Sequence, residues 1–175
     1  MADGVLTCTL SIDYCDSTIV ITQQDRVLWT AKLDFAEIEL ELTITMYLRY
    51  KRDLLIGKPT AERILFDIGS MLPLTQERVT TASGRDLRTG LPHRLEVTSF
   101  EIREQIRPYC VGFVDTMQWI LNKPILSDNP RQVPKELRAE ISSLPILIRG
   151  KYAQLRGLTD YLRDELEREI IVVPD

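Results

Sequence analysis

The chain has 175 residues, 44% of them hydrophobic and 27% charged, with a formal net charge of -4 and a pI near 5.2. That balance suits one globular domain or two small lobes with a real core, and excludes a disordered chain, which would be poorer in Leu, Ile and Val. It also argues against a protein built to grip phosphate backbones, and no run of Lys or Arg is long enough for a polybasic membrane patch.

Residues 5–12 alternate, with Leu6, Cys8, Leu10 and Ile12 on one side and Thr7, Thr9 and Ser11 between, which predicts a strand with two unlike faces. After a polar break at 13–17, residues 18–22 read as a second strand, 23–26 as a turn and 27–33 as a third strand. Together they predict an antiparallel meander. Residues 36–52 carry two signals. Ile38, Leu40, Leu42, Ile44, Met46 and Leu48 alternate as in a strand, yet the run is long for one and rich in helix formers. As a helix it stacks Ile38, Leu42 and Met46 in one row and Leu40, Ile44 and Leu48 in another, and both rows would need burial.

A helix is predicted from Thr60, capped after Pro59 and ending near Gly69, with Ala61, Ile64, Leu65 and Ile68 on its apolar face. Residues 79–82, 85–88 and 94–97 read as strands, divided by turns at Ser83-Gly84 and at 89–92. Thr98 and Glu101 have capping-box spacing and open a long helix at Ser99. Its stripe is Ile102, Ile106, Cys110, Phe113, Met117 and Ile120, with Pro108 as an expected kink. Pro124, Pro130 and Pro134 mark 122–134 as a loop, and Pro134 suits the first turn of a short helix bearing Leu137 and Ile141. Residues 145–148 read as a short buried strand. Leu155, Leu158, Leu162 and Leu166 mark an amphipathic helix, and 170–173 a last strand. No internal repeat is visible. The sum is an α/β chain: a meander, helices, a small inserted α+β unit and a closing strand–helix–strand.

Residues suited to chemistry are sparse. The single histidine, His93, lies beside a Pro-containing turn and reads as a surface residue, so neither a His-rich metal site nor a Ser-His-Asp triad can be built. Cys8, Cys15 and Cys110 are odd in number and lack metal-type spacing. Cys8 and Cys110 sit in apolar patterns and are expected to be buried thiols. The carboxylate groups Glu37, Glu39 and Glu41, and Asp164, Glu165 and Glu167, read as solvated faces. Phosphate-cradling loops need close glycines, and Gly57, Gly69, Gly84, Gly90, Gly112, Gly150 and Gly157 form no close pair. No apolar stretch reaches the ~20 residues that span a bilayer, and the start lacks a secretion pattern, so the cytoplasm is the expected location.

Several stretches resemble the bacterial actin MreB family, in order and near the family's spacing. They are Leu55-Ile56-Gly57-Lys58-Pro59-Thr60-Ala61-Glu62-Arg63-Ile64, Ile68-Gly69-Ser70, Gly84-Arg85-Asp86-Leu87, Thr89-Gly90-Leu91-Pro92, Val97-Thr98-Ser99 and Glu101-Ile102-Arg103-Glu104. The resemblance implies an actin-like (ribonuclease H-like) fold corresponding to the family's second large domain, and it favours the helix at 36–52. Residues 1–52 and 99–175 would form the inner lobe and 53–98 an inserted outer lobe.

The same resemblance places the family's second phosphate loop, an aspartate-isoleucine-three glycines-two threonines run, on Ser11-Ile12-Asp13-Tyr14-Cys15-Asp16-Ser17, where every glycine is gone and two acids stand where a triphosphate would lie. The following glycine-glycine-aspartate falls on Ala36-Glu37-Ile38. The adenosine-side glycine run falls on Gly150-Lys151-Tyr152-Ala153. Glu62 matches the family glutamate near the adenosine, but Leu65 replaces its lysine partner, so Glu62 reads as a surface helix residue and Glu62 and Gly150 as vestigial positions. No catalytic residue, metal or cofactor is expected. The implied function is a non-catalytic module that binds or modulates bacterial actin filaments, with a full-length bacterial actin or a RodZ-type adaptor as partner. Homo-oligomers stay open, as does membrane association through a partner; nucleic acid and direct membrane insertion are not expected. The alternative is half of a split actin-type ATPase that binds ATP only with a separate first domain.

Overall fold

A computed structural model describes residues 5–24, 26–122 and 131–174. Asp25, Pro124 and Pro130, which the sequence assigns to a turn and a loop, lie outside the described residues. The chain runs β1 (Leu6–Ile12), β2 (Ser17–Gln23), β3 (Arg26–Leu33), α1 (Glu37–Lys51), β4 (Leu54–Leu55), α2 (Lys58–Ile68), β5 (Val79–Asp86), β6 (Pro92–Thr98), α3 (Ser99–Leu121), α4 (Lys135–Ile141), β7 (Ile146–Arg149), a 3-10 turn (Lys151–Gln154), α5 (Leu158–Leu166) and β8 (Ile170–Val172).

Two sheets organise it. A five-stranded mixed sheet has the order β3-β2-β1-β7-β8, and a three-stranded sheet has the order β4-β5-β6. The expected meander is present: β1 pairs antiparallel with β2, and β2 with β3. β7 then returns parallel to β1, with Ser11 opposite Arg149, and β8 lies parallel to β7. Alternation explains the meander's packing. Cys8, Leu10 and Ile12 on β1 and Ile19 and Ile21 on β2 are fully buried, and Trp29, Ala31 and Leu33 follow on β3.

The ambiguous run at 36–52 is a helix. Its row Leu40, Ile44 and Leu48 is buried, but Leu42 and Met46 of the other row are exposed, so the expectation that both rows are buried fails. α2 begins at Lys58, two residues before the expected Thr60 cap. Gly57 takes the cap position, and Pro59 is tolerated because first-turn N–H groups have no partner within the helix. Residues 79–86 form one continuous strand, with no turn at Ser83-Gly84. Gly84 serves close approach: a Cβ there would stand 2.3 Å from the Leu55 carbonyl oxygen of the neighbouring strand β4.

α3 opens with the expected capping box. The Glu101 N–H donates to Thr98 Oγ1 at 3.2 Å, and the Thr98 N–H donates to Glu101 Oε2 at 2.9 Å. It continues through Pro108, with all six stripe residues buried. Phe113 stacks on Phe35 with ring centroids 4.3 Å apart, holding α3 against the end of the meander. His93 is exposed on β6, and Cys8 and Cys110 are buried thiols. No helix among the described residues is long and apolar enough to cross a membrane.

Candidate functional site

The loops that follow β1 and β7 leave the carboxyl ends of two parallel neighbours, which is where open α/β sheets gather ligand sites. Three pieces meet there: the loop at 13–16, the N-terminus of α1, and the turn from Gly150 to Gln154, with α2 alongside. These carry every position the resemblance assigns to nucleotide contacts.

The loop at 13–16 folds onto itself and onto α1. The Asp13 N–H donates to the Asp16 carbonyl at 2.9 Å. The first-turn N–H groups of α1 are then used within the chain: Glu37 donates to the Asp13 carbonyl at 3.2 Å, Ile38 to the Tyr14 carbonyl at 3.1 Å, and Glu39 to the Ala36 carbonyl at 3.2 Å. The Glu39 carboxylate reaches back to the Ala36 N–H at 3.3 Å. A helix N-terminus holds an anion through its unpartnered N–H groups, and here those donors are engaged. Side chains pin the loop from outside. Lys32 pairs with Asp16 at 2.8 Å, and the Lys58 ammonium sits 3.7 Å from the Tyr14 ring centroid.

On the adenosine side, Glu37 and Glu41 of α1 turn inward. They are 9% and 4% exposed, which overturns their reading as a solvated face. Tyr152 explains it: the buried residue packs beside them and supplies two donors. Its hydroxyl donates to Glu41 Oε1 at 2.8 Å, and its backbone N–H donates to the Glu37 carboxylate. Burial pushes the Glu37 carboxyl above its ordinary range despite that N–H and the nearby Lys151. Burial, then the Glu41 contact, pushes the Tyr152 phenol up, so it stays a donor. The Tyr152 ring meets Phe66 of α2 edge-on at 5.1 Å.

Glu62, expected as a surface helix residue, is partly exposed on α2. Its side chain is 26% exposed and ion-paired with Lys151, whose ammonium also lies 5.3 Å from the Phe66 ring centroid. The structure therefore brings Glu62 beside the Gly150 turn, through its ion pair with Lys151. Gly150 itself has a local reason to be glycine. Its φ is +106°, and a Cβ there would stand 2.0 Å from the Ile12 carbonyl oxygen. Ser11, at the family's aspartate position, accepts from Arg149 Nε at 2.6 Å.

The residues present do not fit a bound nucleoside triphosphate. Asp13 and Asp16 stand at the glycine-loop position, the α1 donors are engaged, and Tyr152 fills the adenosine side. Unscreened repulsion between a carboxylate and a phosphate a few ångströms apart costs on the order of several kcal/mol at a partly enclosed surface. No group of three or more potential metal-ligating side chains is assembled among the described residues.

The mixed sheet with parallel β7 and β8 beside the meander, helices packed on it and the inserted three-stranded sheet define an actin-like α/β protein. That fold is shared with solved structures. MreB5 of Spiroplasma citri bound to AMPPNP superposes with a TM-score of 0.78 at 21% identity, over 95% of this chain and 47% of that one. A MamK double helical filament gives 0.64 at 16% identity, over 97% of this chain and 50% of that one. A profile of the family described as MreB/Mbl protein matches residues 11–175, and the chain belongs to that family. Among curated relatives, the cell shape-determining protein Mbl of Bacillus subtilis is 27% identical over 154 residues, 88% of this chain and 44% of Mbl. The cell shape-determining protein MreB of Escherichia coli is 28% identical over 157 residues, 90% of this chain and 43% of MreB. The chain thus spans less than half the length of these relatives, as a divergent form of part of the actin-like fold.

Proposed function

We propose that this chain is a nucleotide-independent module of the bacterial actin cytoskeleton, which binds or modulates filaments of a full-length MreB-type protein or its membrane adaptor. In this reading it is not an enzyme. Residues 1–52 and 99–175 act as the inner lobe of a second actin domain and 53–98 as the inserted outer lobe. The carrying observation is that the donors a triphosphate would need are spent on the chain itself: Glu37 and Ile38 N–H on the loop carbonyls, and Tyr152 on Glu37 and Glu41. A continuous apolar core that draws on helices α1 to α5 supports a fold kept under selection while the loop changed. An actin lobe without a nucleotide switch still presents filament-type surfaces, which suits capping or decorating better than turnover.

Two measurements test this. Mg-ATP should leave the melting temperature unchanged, whereas a ligand held at 100 times its dissociation constant would add about 2.7 kcal/mol. A clear upward shift refutes nucleotide independence and favours the split-ATPase reading. Co-sedimentation with a full-length MreB-type actin should carry the chain into the pellet or change filament length. If neither happens, and an immobilised adaptor also fails to retain the chain, the cytoskeletal role is lost.

A further inference from the structure

α1 has two apolar rows, and the described chain covers one. Leu40, Ile44 and Leu48 are buried at 1% exposure or less, while Leu42, Met46 and Tyr50 stand 52%, 45% and 65% exposed. Leu42 and Met46, with Pro108 and Tyr109 of α3, line an open groove of about 640 Å³ between the two helices. Apolar side chains aligned along an exposed helix face mark a contact surface more than scattered ones do.

The charges on this face say what covers it. α1 carries Glu37 and Glu39 in its first turn and Arg49 and Lys51 in its last. Glu39 and Arg49 lie equally far from Ile44 along the chain, as do Leu42 and Met46, and Ile38 and Tyr50. At about 100° per residue all six fall on the side opposite Ile44, and each pair is related by a two-fold axis through that residue. A second α1 laid antiparallel across the first therefore sets Leu42 on Met46, Ile38 on Tyr50 and the Glu39 carboxylate against the Arg49 guanidinium. A parallel placement sets acid on acid. We propose that the chain pairs with a second copy of itself through the outer face of α1, in an isologous dimer flanked by Tyr109 of each copy. The Glu39–Arg49 pairs fix orientation, and the apolar row supplies most of the attraction. This association is separate from nucleotide binding and needs no other cytoskeletal component.

Sedimentation of the full chain from about 1 µM to about 1 mM should show its mass rising from the 20.2 kDa monomer towards twice that value. Met46→Glu should stay monomeric at every concentration with an unchanged melting temperature, because position 46 is solvent-facing. In a Cys15→Ser background, mixed Leu42→Cys and Met46→Cys chains should form a crossed disulfide dimer in preference to Leu42→Cys alone. A wild-type chain that stays monomeric overturns the proposal and leaves the face to a different partner. A dimer that Met46→Glu does not weaken, or one cross-linked chiefly between two copies of position 42, overturns it equally.

Discussion

Replacing Tyr152 by Phe removes one oxygen from the closed adenosine side and should cost more than that change of size implies. The Tyr152 hydroxyl donates to Glu41 Oε1 at 2.8 Å, and Glu41 is 4% exposed. The only cation paired with Glu41 among the described residues, Lys58, stands 3.9 Å away with a side chain 53% exposed, so solvent screens much of its attraction. Phe at 152 keeps the edge-on contact with Phe66, so the loss isolates the hydroxyl. A hydrogen bond to a buried charged group contributes about 1.5–3 kcal/mol, and at 4% exposure Glu41 gains little from solvent in exchange. At roughly 2–4 °C per kcal/mol for a chain of this size, Tyr152→Phe should lower the melting temperature by about 3–12 °C.

Urea unfolding followed by fluorescence of Trp29, which is 9% exposed on β3, gives the free energy directly. A double-mutant cycle separates the contact from its surroundings. Glu41→Leu alone should also destabilise, while Glu41→Leu with Tyr152→Phe should fall well short of the sum, because the second change strands no charge. If Tyr152→Phe unfolds within about 0.5 kcal/mol of wild type, or the two changes simply add, the hydroxyl does not hold this side of the site together.

The remaining predictions concern the same region and the helix beside it. Burial raises the Glu37 carboxyl, so the folded chain retains its proton where the unfolded chain has released it, and this group makes stability fall as pH rises through that window. Glu37→Gln should therefore melt higher than wild type near neutral pH, with the gain vanishing as pH drops below the ordinary carboxylate value of 4.5. Glu101 has the opposite sign. Burial pushes its carboxyl up, but the Thr98 N–H, the Tyr47 hydroxyl and Arg52 outweigh burial and hold it low. Glu101→Gln should melt lower than wild type near neutral pH and converge with it in acid, in thermal melts over the same pH series. Gly150→Ala places a Cβ 2.0 Å from the Ile12 carbonyl oxygen at a positive φ, and should cost at least the roughly 1–3 kcal/mol of such backbone strain, read from urea midpoints. Ser17 Oγ is buried without a hydrogen-bond partner among the described residues, so Ser17→Ala should raise stability by about 1 kcal/mol, and a loss would reveal a hidden partner.

What could be read in advance divides by physical range. Period-two alternation in β1 to β3 and the Thr98–Glu101 capping box are local signals, and the structure reproduces them. The α1 segment failed on pattern alone because its two apolar rows mimic strand alternation, and the second row belongs to a surface, not the core. Gly84 resembled a turn glycine because sequence cannot show that β4 runs against that backbone. That 13–15 carries no glycine was legible from residue types. The partners that occupy the region were not: Glu41 is 111 residues away from the tyrosine that buries it, and Lys151 is also remote in sequence from Glu62.

On the proposed reading, those remote pairs would let this region hold its shape without a nucleotide. A nucleotide cradle keeps backbone donors and a hollow waiting, and both are unfavourable until ATP fills them. Here the Asp13 and Tyr14 carbonyls take the α1 donors, the Tyr152 ring takes the hollow, and Lys32, Lys58 and Lys151 each take an acid that would otherwise repel its neighbours. The two residues depend on each other: a tyrosine at 152 without Glu41 would bury an unpaired hydroxyl, and Glu41 without the tyrosine would be left to the half-exposed Lys58 at 3.9 Å. Random decay has no means of matching such partners across the chain. Introducing glycines at 13–15 alone should therefore loosen the loop without creating a site, because Tyr152 and its partners would still be in place.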